Sequence, residues 1–135
     1  MSLWSLLSAP LLAGNDLRMM TDETKGIMLN TEVIAVDQDK AFNPPKKIFQ
    51  PGTSRNSAAS IVLAKALSDG SVAVGMFNRS EQPLAMSITW KSLGLTGKMV
   101  QARDLWTHRS AKISANGYTA YVPKHGVVML KVSAN

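Results

Sequence analysis

The sequence predicts a mainly β protein, in which a helix–strand–helix unit precedes an antiparallel eight-stranded β-sandwich. Three observations lead to this fold class. Capped, periodic apolar segments fill residues 1–40, a stretch rich in proline and glycine follows over residues 41–57, and short β-forming runs separated by turn sequences fill residues 58–135. Strands spaced by turns about every eight to twelve residues are typical of a two-sheet sandwich. The composition, 45% hydrophobic and 18% charged, is that of a globular chain.

The first predicted element is a short helix with an apolar cluster too broad for one amphipathic stripe. The cluster consists of Leu3, Trp4, Leu6 and Leu7. Pro10 ends this helix, and residues 11–13 predict a short buried strand. A secretion signal is the alternative for this stretch, but no basic residue precedes the apolar run and Pro10 interrupts it, which favours the buried helix. The run is too short to span a bilayer.

Two further helices are predicted before residue 40. Thr21 is a good N-cap, followed by acidic residues in the first turn, and Ile27 and Met28 form the expected buried side. Asn30 or Thr31 caps the next helix. One helix–strand–helix unit cannot close its own core, because a parallel strand needs neighbours on both edges and helices on both faces. Residues 1–40 are therefore predicted to be part of a larger structure.

The β region begins after a linker over residues 41–57, in which residues 46–50 are a candidate for one strand. The Asp69-Gly70 pair predicts a hairpin turn between strands at 60–67 and 71–78. The next run alternates, with one apolar face formed by Leu84, Met86, Ile88 and Trp90. Further strands are predicted at 99–106, 118–123 and 127–132.

Charge and residue usage exclude several functions. Residues 1–39 carry a net charge of −4 and residues 40–135 one of +10, but the basic residues are scattered singly, which predicts a solvated surface and no nucleic-acid partner. The chain has no cysteine and no phosphate-binding glycine loop, and its two histidines, His108 and His125, are predicted to be exposed beside turns. We predict no metal, no cofactor and no membrane partner.

Three segments resemble the α-galactosidases of glycoside hydrolase family 27 (melibiases), a family related to the α-N-acetylgalactosaminidases. Residues 3–18 read LWSLLSAPLLAGNDLR and residues 30–39 read NTEVIAVDQD, which are similar to the family's last barrel unit, while DGSVAVGMFNR at residues 69–79 fits its carboxy-terminal β-domain. Asp37 stands where the family usually has asparagine, and Lys40-Ala41 replaces its usual Pro-Leu-Gly.

The resemblance implies that residues 1–40 are the last helix–strand–helix unit of a (β/α)₈ barrel. The complete enzyme would hydrolyse α-galactosides, with retention of configuration, through two aspartates on the fourth and sixth barrel strands, which this sequence does not contain. No catalytic residue is therefore assigned, and the chain alone is predicted to be inactive. Asn15 and Asp16, at the carboxyl end of the predicted strand, are candidate substrate-binding residues, although a structural role for Asp16, paired with Arg18, is favoured.

Two alternatives remain beside the enzyme fragment. The β-sandwich could be a carbohydrate-binding module that stacks sugars on Trp90, Trp106, Tyr118 or Tyr121, or it could be a non-catalytic support for the barrel. Core packing is the favoured interpretation of Trp90, because it lies on the apolar face of its strand. Residues 3–12, deprived of barrel neighbours, are predicted to self-associate, fold back onto the sandwich or be disordered.

Overall fold

Three short α-helices, two 3-10 turns and eight strands make up the regular structure of the described chain. The computed structural model describes residues 1–14, 16–48, 59–95, 99–113 and 116–134. The helices are α1 (Ser2–Leu7), α2 (Asp22–Met28) and α3 (Thr31–Asp37). The strands are β1 (Lys46–Ile48), β2 (Ser60–Ala66), β3 (Val72–Asn78), β4 (Leu84–Thr89), β5 (Val100–Asp104), β6 (Ser110–Ile113), β7 (Gly117–Val122) and β8 (Val127–Ala134).

The helices begin where their capping residues predict. The Thr21 hydroxyl accepts a hydrogen bond from the Thr24 amide at 3.2 Å. Of the two candidates for the next cap, Asn30 is the one used, because its Oδ1 accepts from the Glu32 and Val33 amides. None of the described helices has the length and apolar character needed to cross a membrane.

The strands form two antiparallel sheets, which confirms the predicted fold class. One sheet has six strands in the order β1-β2-β3-β8-β5-β6, and the other pairs β4 with β7. In the six-stranded sheet Val74 lies opposite Leu130, and in the two-stranded sheet Met86 lies opposite Ala120. The turn between β2 and β3 contains Gly70 at φ 82, a conformation that suits glycine, as the Asp69-Gly70 pair predicts.

A first core lies between the two sheets. Val62, Val74 and Leu130 of the large sheet pack against Met86 and Ile88 of the small one. Trp90 is buried in this cluster, so the predicted apolar face of its strand is confirmed. Alternation along β4 therefore places one side of the strand in the core and the other toward solvent.

A second core covers the opposite face of the six-stranded sheet. It joins Leu6 of α1 and Val33 and Val36 of α3 to Ala73 of β3 and Met129 of β8. Because one face of β3 meets the small sheet and the other meets the helices, nearly every residue of this strand is buried. The helical segment is thus folded back onto the sandwich through these side chains.

Three features differ from the sequence-based predictions. Residues 11–13 form no strand, and Leu12 is 81% exposed, since no described strand lies beside them to supply hydrogen bonds. The predicted burial of Ile27 and Met28 is wrong, because α2 has no buried residue and Ile27 is exposed. Strand β6 was not predicted, because Ser110–Ile113 is a short, polar edge strand without an apolar run.

Candidate functional site

A charged cleft of roughly 320 Å³ lies between α3, the β2–β3 turn and strands β5 and β8. Three carboxylates and two cations line it: Glu32, Asp39, Asp69, Arg103 and Lys131. Carboxylates gathered in one cleft are the residues that glycoside hydrolysis would require. Their hydrogen bonds and pKa values decide whether the charged cleft can perform this chemistry.

Glu32, on α3, is held by the guanidinium of Arg103 on β5. Arg103 Nε lies 2.5 Å from Glu32 Oε2 and Nη2 lies 2.7 Å from Oε1, which is the bidentate geometry that arginine and carboxylate favour. His108 Nδ1 contacts Glu32 Oε1 at 2.6 Å. The bonds from Arg103, with the contact from His108, lower the pKa of Glu32 to about 2 despite its partial burial.

The other two carboxylates are also bound in their charged form. Asp69 lies 2.6 Å from Lys131 Nζ and accepts from the hydroxyl of Ser71, and these bonds hold its pKa well below the usual range. Burial alone would raise the pKa of Asp39, but hydrogen bonds from the Ser68 hydroxyl and amide and from the Ala41 amide outweigh burial and lower the pKa.

The charged cleft lacks the electrostatics of a hydrolytic acid pair. A general acid must keep its proton near neutral pH, which requires a raised pKa. In Glu32, Asp39 and Asp69 the pKa is lowered instead, and each carboxylate already accepts bonds from neighbouring groups. The contacts of Glu32 and Asp39 join helix α3 and its C-terminal end to β5 and the β2–β3 turn, while Asp69 joins that turn to β8.

A buried ammonium group ties both α1 and α3 to the same sheet. Lys65 on β2 has no exposed surface, and its Nζ donates to Ser8 Oγ at 2.6 Å and to the Val36 carbonyl at 2.5 Å. Burial lowers the pKa of Lys65, while the negative charges of Asp39 and Asp37 oppose the shift. The signal in the sequence is a single lysine inside the otherwise apolar run of β2, and none of the sequence-based predictions includes it.

Asp37 is buried beside this network. Its Oδ2 accepts from Gln38 Nε2 at 2.5 Å, whereas its Oδ1 has no partner within the described part of the chain. This is the position at which the sequence departs from the asparagine usual in the resembling family. The negative charge of Asp37 acts on Lys65 through space.

Asp16, one of the two predicted substrate-binding residues, does not line the charged cleft. Asn15 falls outside the described residues. Asp16 caps the 3-10 turn Leu17–Met19, and its carboxylate binds the Arg18 side chain with both contacts at 3.0 Å. The pairing of Asp16 with Arg18 matches the structural role that the sequence favours, and a role in substrate binding stays a prediction.

The four candidate residues for sugar stacking differ in their exposure to solvent. Trp90 is buried, and Tyr118 packs against the same core. Trp106 Nε1 donates to Ser2 Oγ at 2.9 Å, which fixes this side chain on α1. Tyr121 is 82% exposed and is thus the aromatic side chain of this group most open to solvent. Stacking on Trp90 would require the core to open.

The two histidines contact carboxylates at the surface. His108 binds Glu32 as described, and His125 Nε2 lies 2.8 Å from Glu81 Oε1. Within the described residues, no group of three or more histidine, aspartate or glutamate side chains is arranged to hold a metal ion.

Replacing Glu32 by glutamine tests the ion pairs of the charged cleft. The pKa of Glu32 is about 2 in the folded state, below its value of roughly 4.3 in the unfolded chain. Glu32 therefore stabilises the fold fully when the pH is above its unfolded-state pKa, and this stabilisation is lost as the pH falls through its folded-state pKa. We expect Glu32→Gln to lower the free energy of unfolding by about 1 kcal/mol at neutral pH, and the deficit to shrink near pH ~2. Urea unfolding across this pH range measures this deficit, with Glu23→Gln as the control because Glu23 is exposed. A deficit independent of pH would contradict the assignment.

Comparison with known proteins gives matches along most of the chain. Residues 57–132 match the family described as alpha galactosidase C-terminal beta sandwich domain, and residues 1–39 match the family described as alpha galactosidase A. An alpha-galactosidase of Cyamopsis tetragonoloba is 40% identical over 129 residues, which are 95% of this chain and 30% of that protein. An alpha-galactosidase of Oryza sativa subsp. japonica is 39% identical and is matched over 31% of its length.

Solved structures of α-galactosidases have a region with the same fold as this chain. The crystal structure of alpha-galactosidase I from Mortierella vinacea superposes with a TM-score of 0.86 at 31% identity. The match covers 99% of this chain and 34% of that structure. The chain therefore spans about a third of the length of the proteins that it resembles in sequence and in structure.

Proposed function

We propose, given that the chain belongs to the α-galactosidases of glycoside hydrolase family 27, that it forms the carboxy-terminal part of a retaining enzyme that hydrolyses terminal α-linked galactose. The observation that supports this is the extent of the family match. It runs through residues 1–39 and 57–132, yet the chain spans only 30% of the Cyamopsis relative. We assign residues 1–40 to the last barrel unit, 41–57 to the linker and 58–135 to the β-sandwich.

The chain is inactive alone under this proposal. Retention of configuration needs two carboxyl groups about 5–5.5 Å apart, one acting as the nucleophile and the other as acid and then base. The charged cleft offers carboxylates, but the pKa values of Glu32, Asp39 and Asp69 are all lowered, which opposes a general-acid role. The catalytic pair would then belong to the part of the enzyme that this chain does not match.

The sandwich supports the barrel unit instead of binding sugar. Its contacts with the helical segment include the buried Lys65 network and the bidentate pair of Glu32 and Arg103. The burial of Trp90 and the bond between Trp106 and Ser2 argue against the carbohydrate-binding alternative. The sandwich thereby fixes the position of helices α1 and α3.

An activity assay tests the proposal. The purified chain is incubated with p-nitrophenyl α-galactoside, with the complete Cyamopsis α-galactosidase as the positive control. We expect no release of nitrophenol above the buffer rate from the chain, because the lowered pKa values of Glu32, Asp39 and Asp69 oppose donation of a proton to the substrate. Turnover by the chain that saturates with substrate would contradict the proposal. Titration with galactose is expected to leave the tryptophan fluorescence unchanged, and a saturable change would support the sugar-binding alternative.

A further inference from the structure

An asparagine followed by a glycine stands at the start of strand β7. Asn116 is exposed, and no described residue forms a hydrogen bond with its side-chain amide. Glycine has no Cβ, so its backbone nitrogen can approach the side chain of a preceding asparagine without steric hindrance. No other asparagine in the sequence precedes a glycine.

The backbone nitrogen of Gly117 is not used by the two-stranded sheet. The Trp90 amide donates to the Asn116 carbonyl at 3.0 Å, and Thr89 lies opposite Gly117. In an antiparallel ladder this bond makes Thr89 and Gly117 a non-hydrogen-bonded pair, so the Gly117 amide points away from β4. Among the described strands, β7 pairs with β4 alone. The Gly117 nitrogen therefore faces the open edge of the sheet.

Packing requires glycine at this position. A Cβ added to Gly117 would lie 2.2 Å from the Ile88 carbonyl oxygen on β4. The close approach of the two strands thus excludes any side chain at residue 117 that could shield Asn116. The small sheet itself keeps the asparagine–glycine sequence open to attack.

Two comparable side chains are held by hydrogen bonds. Asp69 also precedes a glycine, but its Oδ1 accepts from the Ser71 amide at 3.0 Å and its Oδ2 lies 2.6 Å from Lys131 Nζ. An ionised carboxylate held in this way is a poor target for a nucleophile. Asn78 is buried, and its Nδ2 donates to three backbone carbonyls. The structure therefore protects these two side chains and leaves Asn116 open.

We propose that Asn116 is a site of spontaneous deamidation and isoaspartate formation. The Gly117 nitrogen gives up its proton to hydroxide and attacks the side-chain carbonyl carbon of Asn116. A new C–N bond closes a succinimide ring, and the side-chain nitrogen takes a proton from water and leaves as ammonia. Water then adds to one of the two ring carbonyls and breaks its C–N bond, which yields aspartate or isoaspartate.

The two products affect the sheet differently. Aspartate keeps the main chain unchanged, whereas isoaspartate inserts one methylene into it and converts the former backbone carbonyl of residue 116 into a free carboxylate. The acceptor of the Trp90 amide then lies outside the main chain, and Gly117 moves relative to Thr89. Trp90 is buried in the core between the sheets, so isoaspartate is expected to loosen that core.

Incubation of the purified chain at mildly alkaline pH, followed by peptide mass spectrometry, tests the proposal. We expect Asn116 to lose its amide at least tenfold faster than Asn78. The peptide that contains residue 116 is expected to accept a methyl group from S-adenosylmethionine when a protein isoaspartate methyltransferase is added. Asn116→Gln is expected to abolish both signals at this peptide, because its longer side chain would have to close a larger ring.

Two controls separate the fold from the sequence. The same incubation in guanidinium chloride gives the rate for the unfolded chain, and we expect the folded chain to react within about threefold of it. Asn116→Asp introduces the charge without the extra methylene, and it is expected to melt at a higher temperature than the isoaspartyl fraction of the incubated chain. An amide at Asn116 that persists in the folded chain while the unfolded chain loses it would overturn the inference. Methylation of the same peptide in Asn116→Gln, or an isoaspartyl fraction as stable as Asn116→Asp, would also contradict it.

Discussion

Replacing Lys65 by methionine is expected to lower the free energy of unfolding by about 3 kcal/mol or more. Methionine keeps most of the side-chain volume, so the loss isolates the ammonium group. Without it, the Val36 carbonyl and the Ser8 hydroxyl lose their donor, and the buried carboxylate of Asp37 loses a nearby positive charge. Removing one member of a buried polar network costs more than the network contributes, because the remaining groups stay buried and unpaired.

Urea unfolding at neutral pH, followed by tryptophan fluorescence, measures this loss. Lys91→Met is the matched control, because Lys91 is exposed in the 3-10 turn Trp90–Leu93, and we expect it to change the stability by no more than about 0.5 kcal/mol. If Lys65→Met is as mild as the control, the ammonium is not bound as described. A double variant with Asp37→Asn should recover part of the loss, since it removes the uncompensated buried charge.

Replacing Gly117 by alanine is expected to cost about 3 kcal/mol, because the new methyl group would collide with the backbone. An added Cβ at this position would lie 2.2 Å from the Ile88 carbonyl oxygen on the neighbouring strand β4. Relief requires β4 and β7 to separate at Thr89–Gly117, the end of the two-stranded sheet. Such a movement would also displace Ile88, which is buried in the core between the sheets.

Gly26→Ala provides the opposite control. Gly26 lies within α2, and a Cβ there would meet no atom within 4 Å, so alanine should stabilise the helix by roughly 0.5–1 kcal/mol. Thermal unfolding monitored by circular dichroism compares the two variants. Equal melting temperatures for Gly117→Ala and the unmodified chain would contradict the close approach of β4 and β7.

Local sequence patterns predicted much of the fold. The alternation along β4 and the caps at Thr21 and Asn30 depend on residues within a few positions of one another, and the structure confirms them. The predictions that were wrong or missing concern residues whose burial or pairing depends on contacts with elements distant in sequence. Ile27 has the spacing of a buried helical residue, but no described element covers its helix, and β6 is held by pairing with β5 and not by apolar content.

The charged cleft could not be predicted in the same way. Glu32 and Arg103 are separated by 71 residues, and their contact depends on the packing of α3 across the sheet. The spacing of neighbouring residues in the sequence therefore does not predict this ion pair. Lys65 is different, because a lysine within an apolar strand is a visible exception, and burial with several acceptors is the arrangement that makes such a lysine tolerable.

The six-stranded sheet is covered by the small sheet on one face and by helices α1 and α3 on the other, which limits how the sandwich could be transferred between proteins. One family match ends at residue 39 and the other begins at residue 57, so the sandwich is described as a domain separate from the helices. Ala73 and Met129, however, are enclosed by Leu6 and Val36 from the other side of that border. A gene fusion that moved only the sandwich would expose this side of the sheet to solvent, so we expect a stable transferred unit to include helices α1 and α3.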